Sequence, residues 1–155
     1  MHRRSLLATV GLTVVGTLAG CLESTPLSGD PEPPDDLVEE TFESITPDES
    51  VPASDEPPTI AFVEDDSRVV IEGSLTYSSS SCGGVDPGET SYDAVDGTVT
   101  TSVAAYYDHP SGTDCTADEV TTGYRLTLAF DDGVPETVEM TEDGTMGTFD
   151  VTESP

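Results

Sequence analysis

Read for hydrophobic and polar positions, the chain has three stretches: an uncharged apolar one at its start, a polar proline-rich one, and an alternating one from Thr59 onward. In the last, Ile60 and Phe62, then Val69, Ile71, Leu75 and Tyr77, alternate with polar residues around the turn Asp65-Asp66-Ser67. From Gly97 to Tyr107 the same period puts Val99, Thr101, Val103, Ala105 and Tyr107 on one side. Tyr124, Leu126, Leu128 and Phe130 form the clearest strand, with Arg125 and Thr127 facing outward. Asp131-Asp132-Gly133 and Glu142-Asp143-Gly144 read as tight turns bracketing a strand from Val134 to Met140, and Phe149 and Val151 close a last strand. Half-buried alternation throughout predicts antiparallel strands with one wet face. The expected fold class is therefore all-β: a small antiparallel β-sandwich or barrel-like domain over residues 59–155 with six or seven strands. Ser78-Ser79-Ser80-Ser81-Cys82-Gly83-Gly84 reads as a small, flexible loop pinned by Cys82.

Residues 21–58 read as an acidic, proline-rich, disordered linker, because 8 of the 12 prolines and 12 acids fall there with few large apolar groups. Within it, Asp36 and Glu39 resemble a helix start, and Val38, Thr41, Phe42 and Ile45 recur at helical spacing before Pro47. This predicts a short helix over 37–45 that either docks a partner or folds back onto the domain.

Residues 1–20 read as a signal peptide. Arg3 and Arg4 precede a 14-residue apolar run from Leu6 to Ala19, too short for a spanning helix of about 20 residues. Leu18-Ala19-Gly20-Cys21 follows it. Together these residues resemble a twin-arginine leader joined to a lipobox, as in bacterial and haloarchaeal lipoproteins. The resemblance covers residues 1–21 and implies that Cys21 becomes the first mature residue and carries a thioether-linked lipid. The protein would then sit on the extracellular face of the cell membrane. Three cysteines are present, and lipidation of Cys21 leaves Cys82 and Cys115 as an even pair. In an oxidising exterior they are expected to form a disulfide. A zinc site is the poorer reading, since zinc wants four ligands in close pairs and these cysteines are solitary.

Charge changes the picture next. The chain carries −28, with 32 acids and 4 arginines and no lysine. Such a surface repels itself at low salt, but at molar salt the screening length falls to about 3 Å. The acids are spread along the whole mature chain, and the composition resembles that of haloarchaeal proteins. It implies monovalent salt ions as constant companions and excludes nucleic acid, whose binding rests on Lys and Arg.

Candidate chemistry is sparse. His109 lies near Ser111, Asp108 and Asp114, but in a Pro-Gly loop rather than on rigid elements, so no catalytic residues are assigned. Carboxylate pairs carry no signal among so many acids, and a sugar site would want aromatic platforms in a chain without tryptophan. Asp86, Glu89, Asp93 and Asp96 share one connection and suit hydrated ions or, less well, calcium. No twelve-residue calcium loop is present, and no metal site or cofactor is assigned. The Ser78–Gly84 run lacks a P-loop lysine. The expected function is a lipid-anchored, non-enzymatic binding domain for another envelope protein. The alternative is a small-solute or cation receptor serving a transporter.

Overall fold

The computed structural model describes residues 33–155, so Arg3, Arg4, the lipobox and Cys21 lie outside the described residues. The alternating segments become two stacked sheets. One has the order β1-β7-β3-β2, built from β1 (Leu37–Ile45), β2 (Thr59–Val63), β3 (Arg68–Ser78) and β7 (Glu119–Phe130). The other has the order β4-β6-β8-β9, from β4 (Gly83–Pro87), β6 (Thr98–Tyr107), β8 (Thr137–Gly144) and β9 (Gly147–Glu153). Strand β5 (Ser91–Asp93) pairs with the start of β6 on the edge that β4 occupies further along. The fold class is all-β, as the periodicity predicted.

The core lies between the sheets. Val69, Ile71 and Leu75 of β3 and Tyr124, Leu126, Leu128 and Phe130 of β7 meet Val99 and Val103 of β6 and Val138 and Met140 of β8. Each is an alternate residue on its strand, as a pleated sheet with one buried face requires. One pairing departs from the antiparallel expectation: β6 and β8 run parallel, Val99 opposite Val138 and Val103 opposite Glu142. The cause is the position of β7, which returns through the other sheet. β8 therefore sets off again from the end where β6 began.

Three local expectations are corrected. Leu37–Ile45 is a strand, not a helix, and belongs to the domain rather than to a linker. It pairs antiparallel with β7, Phe42 opposite Leu126, and the Phe42 ring stacks on Tyr124 with centroids 6.0 Å apart. A lone helix would bury nothing, whereas the strand satisfies the open edge of β7 and covers core side chains. The following connection crosses the outer face of this sheet, where Thr76 Oγ1 donates to Ser54 Oγ at 3.0 Å. Second, Glu142-Asp143-Gly144 is the end of β8; the turn is Thr145-Met146, and Gly147 carries the positive φ. Third, β4 and β5 form where a loop and an irregular connection were expected.

Candidate functional site

The strands give the molecule two poles. At the first, the described chain begins: the Tyr92 hydroxyl donates to the Pro34 carbonyl at 2.6 Å, and a side chain on Gly97 would press on Pro33 Cβ. Beside it, the Asp131 N–H donates to the Asp36 carbonyl and the Asp36 N–H donates to Asp131 Oδ1, each at 3.2 Å. Strand β6 starts here and runs 10 residues to Tyr107, about 30 Å away.

The second pole gathers chemistry of a different kind. Tyr77 ends β3, Tyr106 and Tyr107 end β6, and Thr145 comes from the β8–β9 turn. With Ser78 and Ala105 they line a cleft of about 380 Å³ at the open end of the sandwich. Tyr106 is 44% exposed and Tyr107 56% exposed. Met146, also exposed, follows Thr145 in the turn, and the His109 ring stacks on Tyr107 at 6.1 Å.

The rings are seated on glycine. A Cβ at Gly83 would come within 2.7 Å of the Tyr77 ring on the inner face of the sheet, and one at Gly84 within 2.6 Å of the Tyr106 hydroxyl on the outer face. The two glycines thus give close backbone approach rather than looseness. Below the cleft, Thr145 Oγ1 donates to the Thr76 carbonyl at 2.7 Å and ties the two sheets together. Thr122 Oγ1 donates to the Tyr77 hydroxyl at 3.3 Å.

The loop after Tyr107 is held by covalent and polar bonds. Cys82 and Cys115 form a disulfide with Cα atoms 5.6 Å apart, closing a separation of 33 residues. In the chain-entropy account, closing such a loop stabilises by roughly 3.5–4 kcal/mol. The serine run is ordered: Ser79 N donates to Asp118 O at 2.7 Å, and Ser80 N to Asp118 Oδ1 at 2.9 Å. Ser79 Oγ and Thr116 Oγ1 are 3.0 Å apart. Hydrogen bonds from the Thr116 side chain, then Ser80, hold the Asp118 carboxyl down at about 2.

The other candidates do not converge. His109 makes no hydrogen bond with Ser111 or a carboxylate among the described residues, and its ring is a platform on Tyr107. Asp93 and Asp96 share a depression with Glu139, Thr98 and Thr100, but Asp86 and Glu89 do not line it. Asp93 Oδ1 is already occupied by the backbone N–H of Val95 at 2.9 Å. No group of three or more His, Cys, Asp or Glu is placed to hold a metal ion among the described residues. No helix among them is long and apolar enough to cross a membrane.

The tyrosine cleft was not legible in the sequence. Tyr77 and Tyr107 appeared there only as inward strand positions, and the absence of tryptophan counted against aromatic platforms. The available signal was three of the five tyrosines next to the cysteine pair, at Tyr77–Cys82 and Tyr106–Cys115. Among known proteins, no family model, no curated protein and no solved structure matches the chain.

Proposed function

We propose that this protein is a non-enzymatic binding module of the cell envelope, held on the outer face of a haloarchaeal membrane by a lipid on Cys21. The twin-arginine leader and lipobox support the anchor. The two-pole arrangement carries the binding reading: the chain joins the domain at Pro33–Pro34, while the exposed tyrosines stand at the far end of β6. An N-terminal tether therefore turns the tyrosine pole away from the bilayer and toward other envelope components. Because β1 belongs to the domain, the tether reduces to residues 22–32, which span at most about 40 Å. That length keeps the cleft within reach of proteins standing on the same membrane.

The test is expression of the full chain in a halophilic host, with intact-mass analysis and fractionation at molar salt. The product should begin at Cys21, carry added acyl mass and sediment with membranes, and Cys21→Ser should be shed. Cross-linking should capture an envelope protein that Tyr106→Ala and Tyr107→Ala release. Unacylated product, or capture indifferent to both tyrosines, would overturn the proposal.

A further inference from the structure

A free strand edge offers unpaired backbone N–H and C=O groups to any other strand. In this sandwich β1 ends one side of the first sheet and β2 the other; β9 ends the second sheet, with β4 and β5 on its far side. All but one of these edges are guarded. Strand β1 carries Glu39, Glu40 and Glu43 and a register shift, and β9 carries Asp150 and Glu153. Strand β4 ends on Asp86-Pro87, and β5 has only three residues, one of them Asp93.

Strand β2 has none of these devices. Thr59-Ile60-Ala61-Phe62-Val63 is uncharged and free of glycine and proline, in a chain with 32 acids. It pairs with β3 in unbroken register, from Thr59 opposite Glu72 to Val63 opposite Arg68. Ile60 and Phe62 pack against the core yet stay only half-buried, since no strand lies beyond them among the described residues. Thr59 and Ala61, on the outer face, are exposed.

The occupant of such an edge is a strand, and an acidic one would be repelled by Glu56 before β2 and by Glu64, Asp65 and Asp66 after it. A second copy of β2 meets the requirement. Antiparallel pairing of identical strands creates a two-fold axis perpendicular to the sheet. That axis keeps inward residues opposite inward residues, so it passes through a residue and not between two. Centred on Phe62, it would set Glu64 and Asp65 opposite Ile60 and Thr59. Centred on Ile60, it would set Pro57 and Pro58 opposite Val63 and Phe62. Centred on Ala61, it pairs the whole strand: Thr59 with Val63, Ile60 with Phe62, and Ala61 with itself. Glu64 and Asp65 then fall beside prolines, and the half-buried Ile60 and Phe62 of each copy gain cover. At molar salt the screening length of about 3 Å lets two acidic chains approach. We infer that β2 pairs antiparallel with β2 of a second copy about a two-fold axis at Ala61, joining two four-stranded sheets into one. One pair of short strands buries well under the roughly 800 Å² per partner of a stable interface, so this dimer forms and parts readily. It uses none of the tyrosines and does not rest on the binding-module reading.

The experiment uses the full chain with Cys21→Ser, in molar KCl, so that Cys82 and Cys115, joined to each other, are the only native cysteines. Sedimentation from about 10 μM to 1 mM chain should show the mass rising from one copy toward two, as a small interface requires. Ala61→Glu sets two carboxylates directly opposite each other and should weaken association tenfold or more. Ala61→Cys should give a disulfide-linked dimer on mild oxidation, because opposed Cα atoms about 4.5–5.5 Å apart lie within disulfide reach. Thr59→Cys and Val63→Cys should cross-link when mixed and far less when alone. Ala94→Cys, at an exposed position after β5, measures random collision. Thermal unfolding in parallel shows that each variant is folded.

A chain monomeric throughout, association indifferent to Ala61→Glu, or cross-linking through Ala61→Cys no faster than through Ala94→Cys would overturn the inference. So would association lost with Tyr106→Ala and Tyr107→Ala, which would move the contact to the tyrosine pole. A dimer that persists in those variants while no envelope partner is captured would sink the binding module and leave the pairing standing.

Discussion

Glu142 occupies the third inward position of β8 after Val138 and Met140 and is wholly buried between the sheets. Its Oε2 accepts a hydrogen bond from the Tyr124 hydroxyl, while Oε1 has no partner among the described residues. Gly73 makes this possible, since any Cβ there would collide with the tyrosine hydroxyl. Burial pushes the Glu142 carboxyl up to about 7, opposed in part by the tyrosine bond. Burial, and then the neighbouring carboxylate, pushes Tyr124 upward as well, so its hydroxyl keeps its proton and donates. In the unfolded chain a glutamate titrates at about 4.3. Below that pH both states hold the proton, and the stability associated with Glu142 is fully present. As pH rises toward 7 the unfolded chain releases a proton that the folded chain retains, so this stability is lost, by about 4 kcal/mol at completion. Glu142→Gln should therefore gain on the parent chain between pH 5 and 7.5, by about 2–3 kcal/mol in denaturant unfolding at constant molar salt. Asp118 titrates below this window and does not disturb the comparison. A difference that stays flat with pH would show that Glu142 is not a buried acid. The sequence concealed this residue because Glu-Asp-Gly is also a tight-turn signal; the alternation of Val138 and Met140, continued by one step, was the competing cue.

Strand β1 shows where local pattern stops being informative at the scale of an element. Val38, Phe42 and Ile45 sit at helical spacing, yet their partners in β7 lie some eighty residues away and leave no local trace. A register shift between Leu37 and Glu39 breaks the strand alternation. Glutamates on both faces, which suit an edge strand because they discourage further pairing, blur it again. The short β4 and β5 escaped for a related reason: glycine, proline and aspartate at an edge carry no alternation, and only Val85 is buried among them. The long strands β3, β6 and β7 were legible because each buries a full inward row. Substitution separates the two descriptions of 37–45. On a helix, Val38 and Phe42 would share a face and lose similarly. On the observed strand Val38 is 59% exposed, while Phe42 stacks on Tyr124. Phe42→Ala should cost about 2 kcal/mol and Val38→Ala less than about 0.5 kcal/mol, read from urea unfolding midpoints. Equal losses would contradict the pairing with β7.

At the scale of the whole molecule the balance is between a modest core and a charge of −28. The described chain holds two arginines, Arg68 and Arg125, both on the outer face of the first sheet. Arg125 pairs with Glu72 at 2.6 Å, and this is the single salt bridge among the described residues. An exposed pair of this kind contributes well under about 1 kcal/mol and cannot offset repulsion among so many carboxylates. Attraction therefore has to come from the buried rows, the disulfide and screening by salt. At 1 M salt the screening length of about 3 Å is shorter than most distances between surface acids; at 0.01 M, about 30 Å, it spans the domain. The thermal midpoint should fall by about 10 °C or more as KCl is diluted from molar to tens of millimolar, followed by circular dichroism at fixed pH. Two controls assign the cause. Sucrose at matched osmolality should raise the midpoint of the parent chain and of charge-neutralised variants alike, because it acts by exclusion and leaves charge repulsion intact. Asp→Asn changes at exposed positions such as Asp65 and Asp66 should flatten the salt curve while leaving its high-salt plateau nearly unchanged, since screened charges no longer interact there. A midpoint independent of KCl would mean that the acids are already neutralised within the fold, and the brine-adapted reading of the surface would lose its physical basis.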